Sequence, residues 1–401
     1  MANVNNEIEF KFFKGNQEFV DGKSEDAIKR TRAEITTALN AMNISFLLGA
    51  GCSSLKDKSR EIGIPTMAEL ASEFSEQGDW SDCWNKAKEY KIERCTDNLE
   101  TLMQKLGGVL AFEPKNIEIK RCVDEVKSFL FEKVFGDGEF EELRKTYEHF
   151  YRCIFFRDKT LSRPWVATTN YDLLNELSLD SLSMPFCNGF SGGIERRFNP
   201  ATFGLTLARQ LEISSGKWEA VENFVYLCKL HGSISWQRDT KNAIWPFIES
   251  YPSTDTNNVE KTMIYPSPAK QGESLTSPYS DLFRLFQGQV VQNQSVLFVI
   301  GYSFSDEHIN NIIYQALTIP SFRLVIFANP NSPQGPISKL KTLNDKRIWI
   351  IGGNELSGDA SHYFESVVEN FLPEQPKEEI QKATENVIAT IGKLKLTSEK
   401  K

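Results

Sequence analysis

The sequence predicts an α/β fold: a Rossmann-like parallel sheet with helices on both faces and a helical insertion after the first strand. Two observations predict it. Apolar runs of about five residues recur along the chain, each ending in Gly, Ser or Asn and followed by a helical pattern, as buried parallel strands do. The gaps between runs are too long for hairpins, and strict alternation is absent, which counts against an antiparallel sheet.

The elements follow in order. Residues 1–23 are polar and read as a frayed or docking arm. Ser24 can cap a helix that carries Ile28, Ile35, Leu39 and Met42 on one face. Ile44 to Leu48 is the first strand, ending abruptly in Gly49-Ala50-Gly51-Cys52-Ser53-Ser54. From about 66 to 160 no clear strand occurs; the segment is rich in Glu, Lys and Leu, with Leu99, Leu102, Met103 and Leu106 at helical spacing. Strands then read at Trp165 to Thr168, Phe224 to Lys229, Val296 to Ile300, Arg323 to Phe327 and Arg347 to Ile351. Pro373 and Pro376 break the last globular helix. An amphipathic segment with Ile380, Val387, Ile388, Ile391 and Leu394 then either packs on the domain or serves an oligomer interface. The expected organisation is an N-terminal arm and helix (1–40), a nucleotide-binding domain (41–65 and 161–372), a helical insertion (66–160) and a C-terminal amphipathic helix and tail (373–401).

Composition narrows the function classes. The 401 residues hold 46 Lys and Arg against 54 Asp and Glu, a net charge of −8. That balance argues against a protein that coats nucleic acid, and no direct sequence-specific nucleic-acid binding is expected. The start, MANVNNEIEFKFFKG, lacks a basic segment followed by an apolar one, and no apolar run reaches the roughly 18 residues that span a bilayer. Seven cysteines (52, 83, 95, 122, 153, 187, 228) are widely spaced with no CxxC pair. Neither a disulfide framework nor a Cys-rich zinc site is expected, nor any metal. A cytoplasmic protein is expected, with no membrane partner.

Four polar motifs sit at strand ends, where an open parallel sheet places its ligand crevice. Gly49-Ala50-Gly51-Cys52-Ser53 permits a tight turn and close approach of backbone N–H groups to a pyrophosphate, though the third glycine of GxGxxG and a P-loop lysine are missing. Thr169-Asn170-Tyr171-Asp172 offers an amide and a carboxylate that can fix a carboxamide or a ribose diol, or can cap a helix. His231, one of four histidines, lies between a strand and Gly232, where an imidazole can face a cleft and act as general base. In the segment Gly301 to His308, Gly301 permits close approach and Ser303 can hold a phosphate or ribose hydroxyl, while Asp306 and His308 suit a helix cap.

These motifs, taken in order, resemble the sirtuin family, over roughly residues 40 to 355. They correspond to a GAG-x-S turn (Gly49 to Ser53), a T-x-N-x-D strand end (Thr168 or Thr169 to Asp172), an HG dipeptide (His231-Gly232) and a later G-x-S (Gly301 to Ser303). The resemblance is best to bacterial sirtuin-like NAD hydrolases of anti-phage defence. Asn188-Gly189-Phe190-Ser191-Gly192 with Arg197-Phe198, Leu230 to Trp236, and Ile264-Tyr265-Pro266 look like the sirtuin-like partner of HerA-type ATPases. Two departures set the chain apart from protein deacylases: no CxxC pairs, and Gly63-Ile64-Pro65 followed by Thr66-Met67 where those enzymes carry Asp-Phe-Arg.

The resemblance implies NAD as substrate and an NAD hydrolase activity, with Asn170, His231 and Asp172 as catalytic residues. Asn170 would grip the ribose or position water, Asp172 would hold the nicotinamide end or orient Asn170, and His231 would act as base. Gly49, Ala50, Gly51, Ser53 and Thr169 would bind the dinucleotide, with Gly301 and Ser303 at its adenosine half. It also implies a HerA-type ATPase partner and a ring-like homo-oligomer. The rival expectations are a protein deacylase and a non-catalytic NAD- or ADP-ribose-sensing scaffold that regulates the ATPase.

Overall fold

The computed structural model describes residues 10–22, 25–57, 60–65, 67–76, 86–87, 89–90, 92, 99–135, 140–158, 160–211, 216–239, 242, 246–251, 260–263, 277–331, 333, 335–353 and 361–373. The main sheet comprises β1 (Phe10–Lys14), β2 (Gln17–Gly22), β3 (Asn43–Leu48), β4 (Trp165–Thr168), β5 (Phe186–Cys187), β6 (Val225–Lys229), β7 (Ser295–Ile300), β8 (Arg323–Phe327) and β9 (Ile348–Gly353). Their order is β2-β1-β9-β8-β7-β3-β4-β6-β5. All neighbours from β9 to β5 are parallel; β1 and β2 add antiparallel at one edge. The expected parallel sheet is therefore present. The chain leaves β3 toward β4 and later returns to β7 on the other side of β3, so a topological switch point lies between β3 and β7.

Both faces of the sheet are buried, which is why the strands read as continuous apolar runs. Phe46, Leu48, Val166, Leu227 and Phe298 face one side. There they meet α1 (Glu25–Leu39), α5 (Glu141–Ile154), α6 (Leu174–Ser181) and the helical turns of Phe364–Phe371. Leu47, Ala167, Cys228, Leu297 and Val299 face the other, against α7 (Tyr279–Val290), α8 (Glu307–Leu317) and α9 (Gly335–Thr342). The helices α2 (Met67–Glu76), α3 (Leu99–Phe112) and α4 (Ile117–Phe135) form a separate apolar cluster that reaches the sheet through Tyr171, Leu173 and Ile234. The described helices between 66 and 160 thus divide between two apolar clusters. The α5 face of Leu143, Tyr147, Phe150 and Tyr151 packs into the sheet core instead. Among the described cysteines Cys52, Cys122, Cys153 and Cys228 are buried and Cys187 is half-buried.

Two expectations are corrected. The segment 10–22 is no frayed arm but a hairpin on the sheet edge, with Phe10, Phe12 and Val20 buried. Phe12 packs on Phe19 and Trp349, and Phe10 on Phe371. The flanking lysines hide this alternation in the sequence, yet Lys14 lies over the Phe19 ring and pairs with Glu34. Met42 does not extend the α1 face: the helix ends at Leu39, and Met42 is half exposed in the turn before β3. Ser24 and the segments 264–266 and 380–394 lie outside the described residues. No helix among the described residues is long and apolar enough to cross a membrane.

A small antiparallel sheet centred on Gly232–Arg238 grows from the end of β6. It gathers the motif of residues 188–198. Asn188 donates to Glu249 at 2.6 Å and accepts from Arg196, which also pairs with Glu249 at 2.5 Å. Burial pushes the Glu249 carboxyl up from 4.5 to about 7, against the pull of Arg196. A raised folded-state value means that this group's contribution to stability is complete below about pH 4.5 and is lost as pH rises toward 7. The span corresponds to about 3 kcal/mol. Glu249→Gln should therefore flatten the decline in melting temperature between those pH values; an unchanged slope would refute this role.

Candidate active site

Backbone register places the four motifs side by side. Ile300 pairs with Leu48, Leu48 with Thr168 and Thr168 with Lys229, so β7, β3, β4 and β6 end at one level. Gly301, Gly49, Thr169 and Leu230 are each the next residue. The motifs, spread from Gly49 to Ser303 in the sequence, thus line one edge, at the switch point that open α/β sheets use for ligands.

The glycine turn touches protein before it touches anything else. Gly49 N–H donates to Ile300, Gly51 N–H to Gly301, Cys52 N–H to Gly49 and Ser53 N–H to Ala50. A Cβ on Gly49 would sit 2.4 Å from the Gly301 carbonyl oxygen, and one on Gly301 (φ +63°) 2.7 Å from Cys52 N. The glycines therefore let the β3 and β7 loops close on each other. The open cradle of N–H groups expected for a pyrophosphate is absent from Gly49, Gly51, Cys52 and Ser53, since those donors are committed within the protein. Ala50 is exposed at the first position of the turn.

Behind the turn lies a buried chain of hydrogen bonds. Asn170 donates through Nδ2 to the Gly49 carbonyl at 2.9 Å and to Ser53 Oγ at 2.8 Å. Ser53 in turn donates to Asp172 Oδ2 at 2.6 Å. Asp172 Oδ1 accepts from Leu174 N–H at the start of α6. Thr168 Oγ1 accepts from Asn170 N–H and donates to Leu48. Both amide hydrogens of Asn170 point inward, so its Oδ1 is the atom able to accept from a ribose hydroxyl or a water. Asp172 reaches Asn170 through Ser53, whose hydroxyl is engaged on both sides within the protein. Thr169 stays half-buried, its N–H on the Leu48 carbonyl.

A buried ion pair braces this arrangement. Lys229 Nζ, with a fully buried side chain, sits 3.0 Å from Glu176 Oε1 on α6 and donates to the carbonyls of Tyr171 and Asp172. Burial raises the Glu176 carboxyl, and Lys229 partly offsets this. His231 faces Asp306: Nε2 lies 3.0 Å from Asp306 Oδ2, with both residues buried. Asp306 Oδ1 meanwhile accepts the N–H groups of His308 and Ile309 and caps α8, as the sequence suggested. Ser303 is exposed and donates to Ser305, apart from the buried network.

Sequence reasoning missed three participants. Lys229 and Glu176 belong to a strand and a helix whose packing no local pattern reveals; the one signal is a charged residue closing an apolar run. Asp306 is recognisable as a cap, but its contact with His231, 75 positions away, follows only from sheet order. Among the described residues no group of three or more His, Cys, Asp or Glu could hold a metal.

Comparison with known proteins bears on the same region. Residues 164–351, from β4 into β9, match the family model described as SIR2-like domain. No curated protein matches the chain. Among solved structures, a complex of a Sir2 homologue with NAD has a TM-score of 0.40 and 14% identity, covering 83% of this chain and 96% of that one. A mutant Sir2 homologue bound to ADP-ribose has a TM-score of 0.37 and 14% identity, covering 78% and 94%. Likenesses this distant carry no argument about function. Residues 164–351 are thus similar to SIR2-like domains.

Proposed function

We propose that the chain is an NAD hydrolase that converts NAD and water to ADP-ribose and nicotinamide. The observation that carries this reading is the meeting, at one sheet edge, of a buried Asn170–Ser53–Asp172 chain with a carboxylate-paired His231. The match of residues 164–351 to the SIR2-like domain model supports the ligand class.

The bond to be broken joins ribose C1′ to the nicotinamide nitrogen. Nicotinamide leaves with the electron pair as a neutral molecule, so no general acid is required, unlike ordinary glycoside hydrolysis. The protein must hold the ribose, exclude competing geometries and deliver water. Asn170 Oδ1, oriented through Ser53 and Asp172, accepts from the ribose or from the attacking water. His231 takes the proton that water loses as its oxygen bonds C1′. Ala50 N–H and the loop at Gly301 and Ser303 serve the pyrophosphate and adenosine side.

The proposal extends to biology on the resemblance of residues 188–198 and 230–236: NAD depletion in anti-phage defence, within a ring-like assembly with a HerA-type ATPase, in the cytoplasm. The test of the reaction is hydrolysis in heavy-oxygen water, with no acyl-lysine peptide added. Nicotinamide and singly labelled ADP-ribose in equal amounts support it. An unlabelled cyclic product, or release that requires the peptide, contradicts it.

A further inference from the structure

We infer that Asp306 is a positioning residue for His231, fixing which ring nitrogen carries the proton and so making Nδ1 the basic atom. The inference rests on the hydrolase reading above. It starts from a long reach: β6 and β7 are separated by β4 and β3, roughly 14 Å at the usual strand spacing. Their loops nevertheless meet at 3.0 Å, His231 Nε2 against Asp306 Oδ2. Between them the two loops span the ends of β3 and β4 to do so.

The two carboxylate oxygens have separate tasks. Oδ1 is held by the N–H groups of His308 at 2.9 Å and Ile309 at 3.4 Å. Oδ2 is thereby aimed at the imidazole. An ionised carboxylate only accepts, so Nε2 must be the donor, and the unshared pair of the neutral ring falls on Nδ1. The Tyr171 and Phe283 rings flank the imidazole at 6.4 and 6.5 Å between centroids, and His308 lies beyond Phe283. Because Asp306 also caps α8, the position of that helix and the tautomer of His231 are set by one side chain.

The capping duty makes Asp306→Asn a sharp test. Asparagine caps as well as aspartate, so its Oδ1 stays on the helix and its NH₂ faces His231. Nε2 must then accept, which moves the ring proton to Nδ1 and removes the base. Nitrogen-15 NMR of His231 at alkaline pH, where the ring is neutral, should show the proton on Nε2 in the wild type and on Nδ1 in the variant. Turnover of NAD should fall about 100-fold or more, with ADP-ribose affinity and melting temperature near wild type. An unchanged tautomer, or turnover within about threefold of wild type, overturns the inference. Should the wild type cleave no NAD, the hydrolase reading fails by itself. The NMR arm still decides about Asp306: a flipped tautomer sustains its positioning of the ring, an unchanged one refutes it.

Discussion

Replacing His231 by alanine is expected to lower NAD cleavage by about 100- to 10,000-fold, the usual worth of a positioned general base. The fold should survive. His231 is a turn residue between β6 and the small sheet, and Asp306 keeps its helix-capping bonds without it. Asn170→Ala should cost a similar factor for a different reason. It removes both the outward acceptor and the inward donor that ties Ser53 and Asp172 to the Gly49 carbonyl. Calorimetry with ADP-ribose separates the two readings of such a loss: retained binding with lost turnover places these residues in the chemistry, whereas joint loss places them in the scaffold.

The second large effect is on stability. Lys229→Met should destabilise the protein by about 3–5 kcal/mol, because Glu176 would be left as an uncompensated buried charge beside Asp172. It would also release the carbonyls of Tyr171 and Asp172 from the ammonium that pins them. Pairing it with Glu176→Gln should recover much of the loss, since a neutral partner needs no counter-charge. Denaturant midpoints of the two variants check this. A double variant no more stable than the single one would show that the carbonyl contacts, rather than the charge pair, are what Lys229 supplies.

The parallel strands were legible because burial on both faces keeps their centres apolar: Phe46-Leu47-Leu48 and Leu297-Phe298-Val299 are apolar to each side. Their polar ends were legible for the same reason, as breaks in apolar runs. What the sequence hides is whatever depends on distant packing. The hairpin of residues 10–22 mixes Phe with Lys, Glu and Gln, which reads as polar until the Trp349 edge that buries Phe12 is known. The glycine turn reads equally as a phosphate cradle or as a site of backbone closure. The partner that decides, Gly301, lies 250 residues on from Gly51. His231, Asn170 and Asp172 stand out in the sequence by type and place, Asp172 as a group that could orient Asn170; the contacts of Ser53 with Asn170 and of Asp306 with His231 follow only from the strand order.

The most direct test of the account is product analysis of the purified protein incubated with NAD, alone and with a HerA-type ATPase, beside His231→Ala. The account predicts nicotinamide and ADP-ribose in equal amounts from the wild type in at least one of the two conditions, and about 1% of that or less from the variant. NAD that binds yet persists under both conditions would contradict it, and would make the chain a dinucleotide sensor whose partner is the effector.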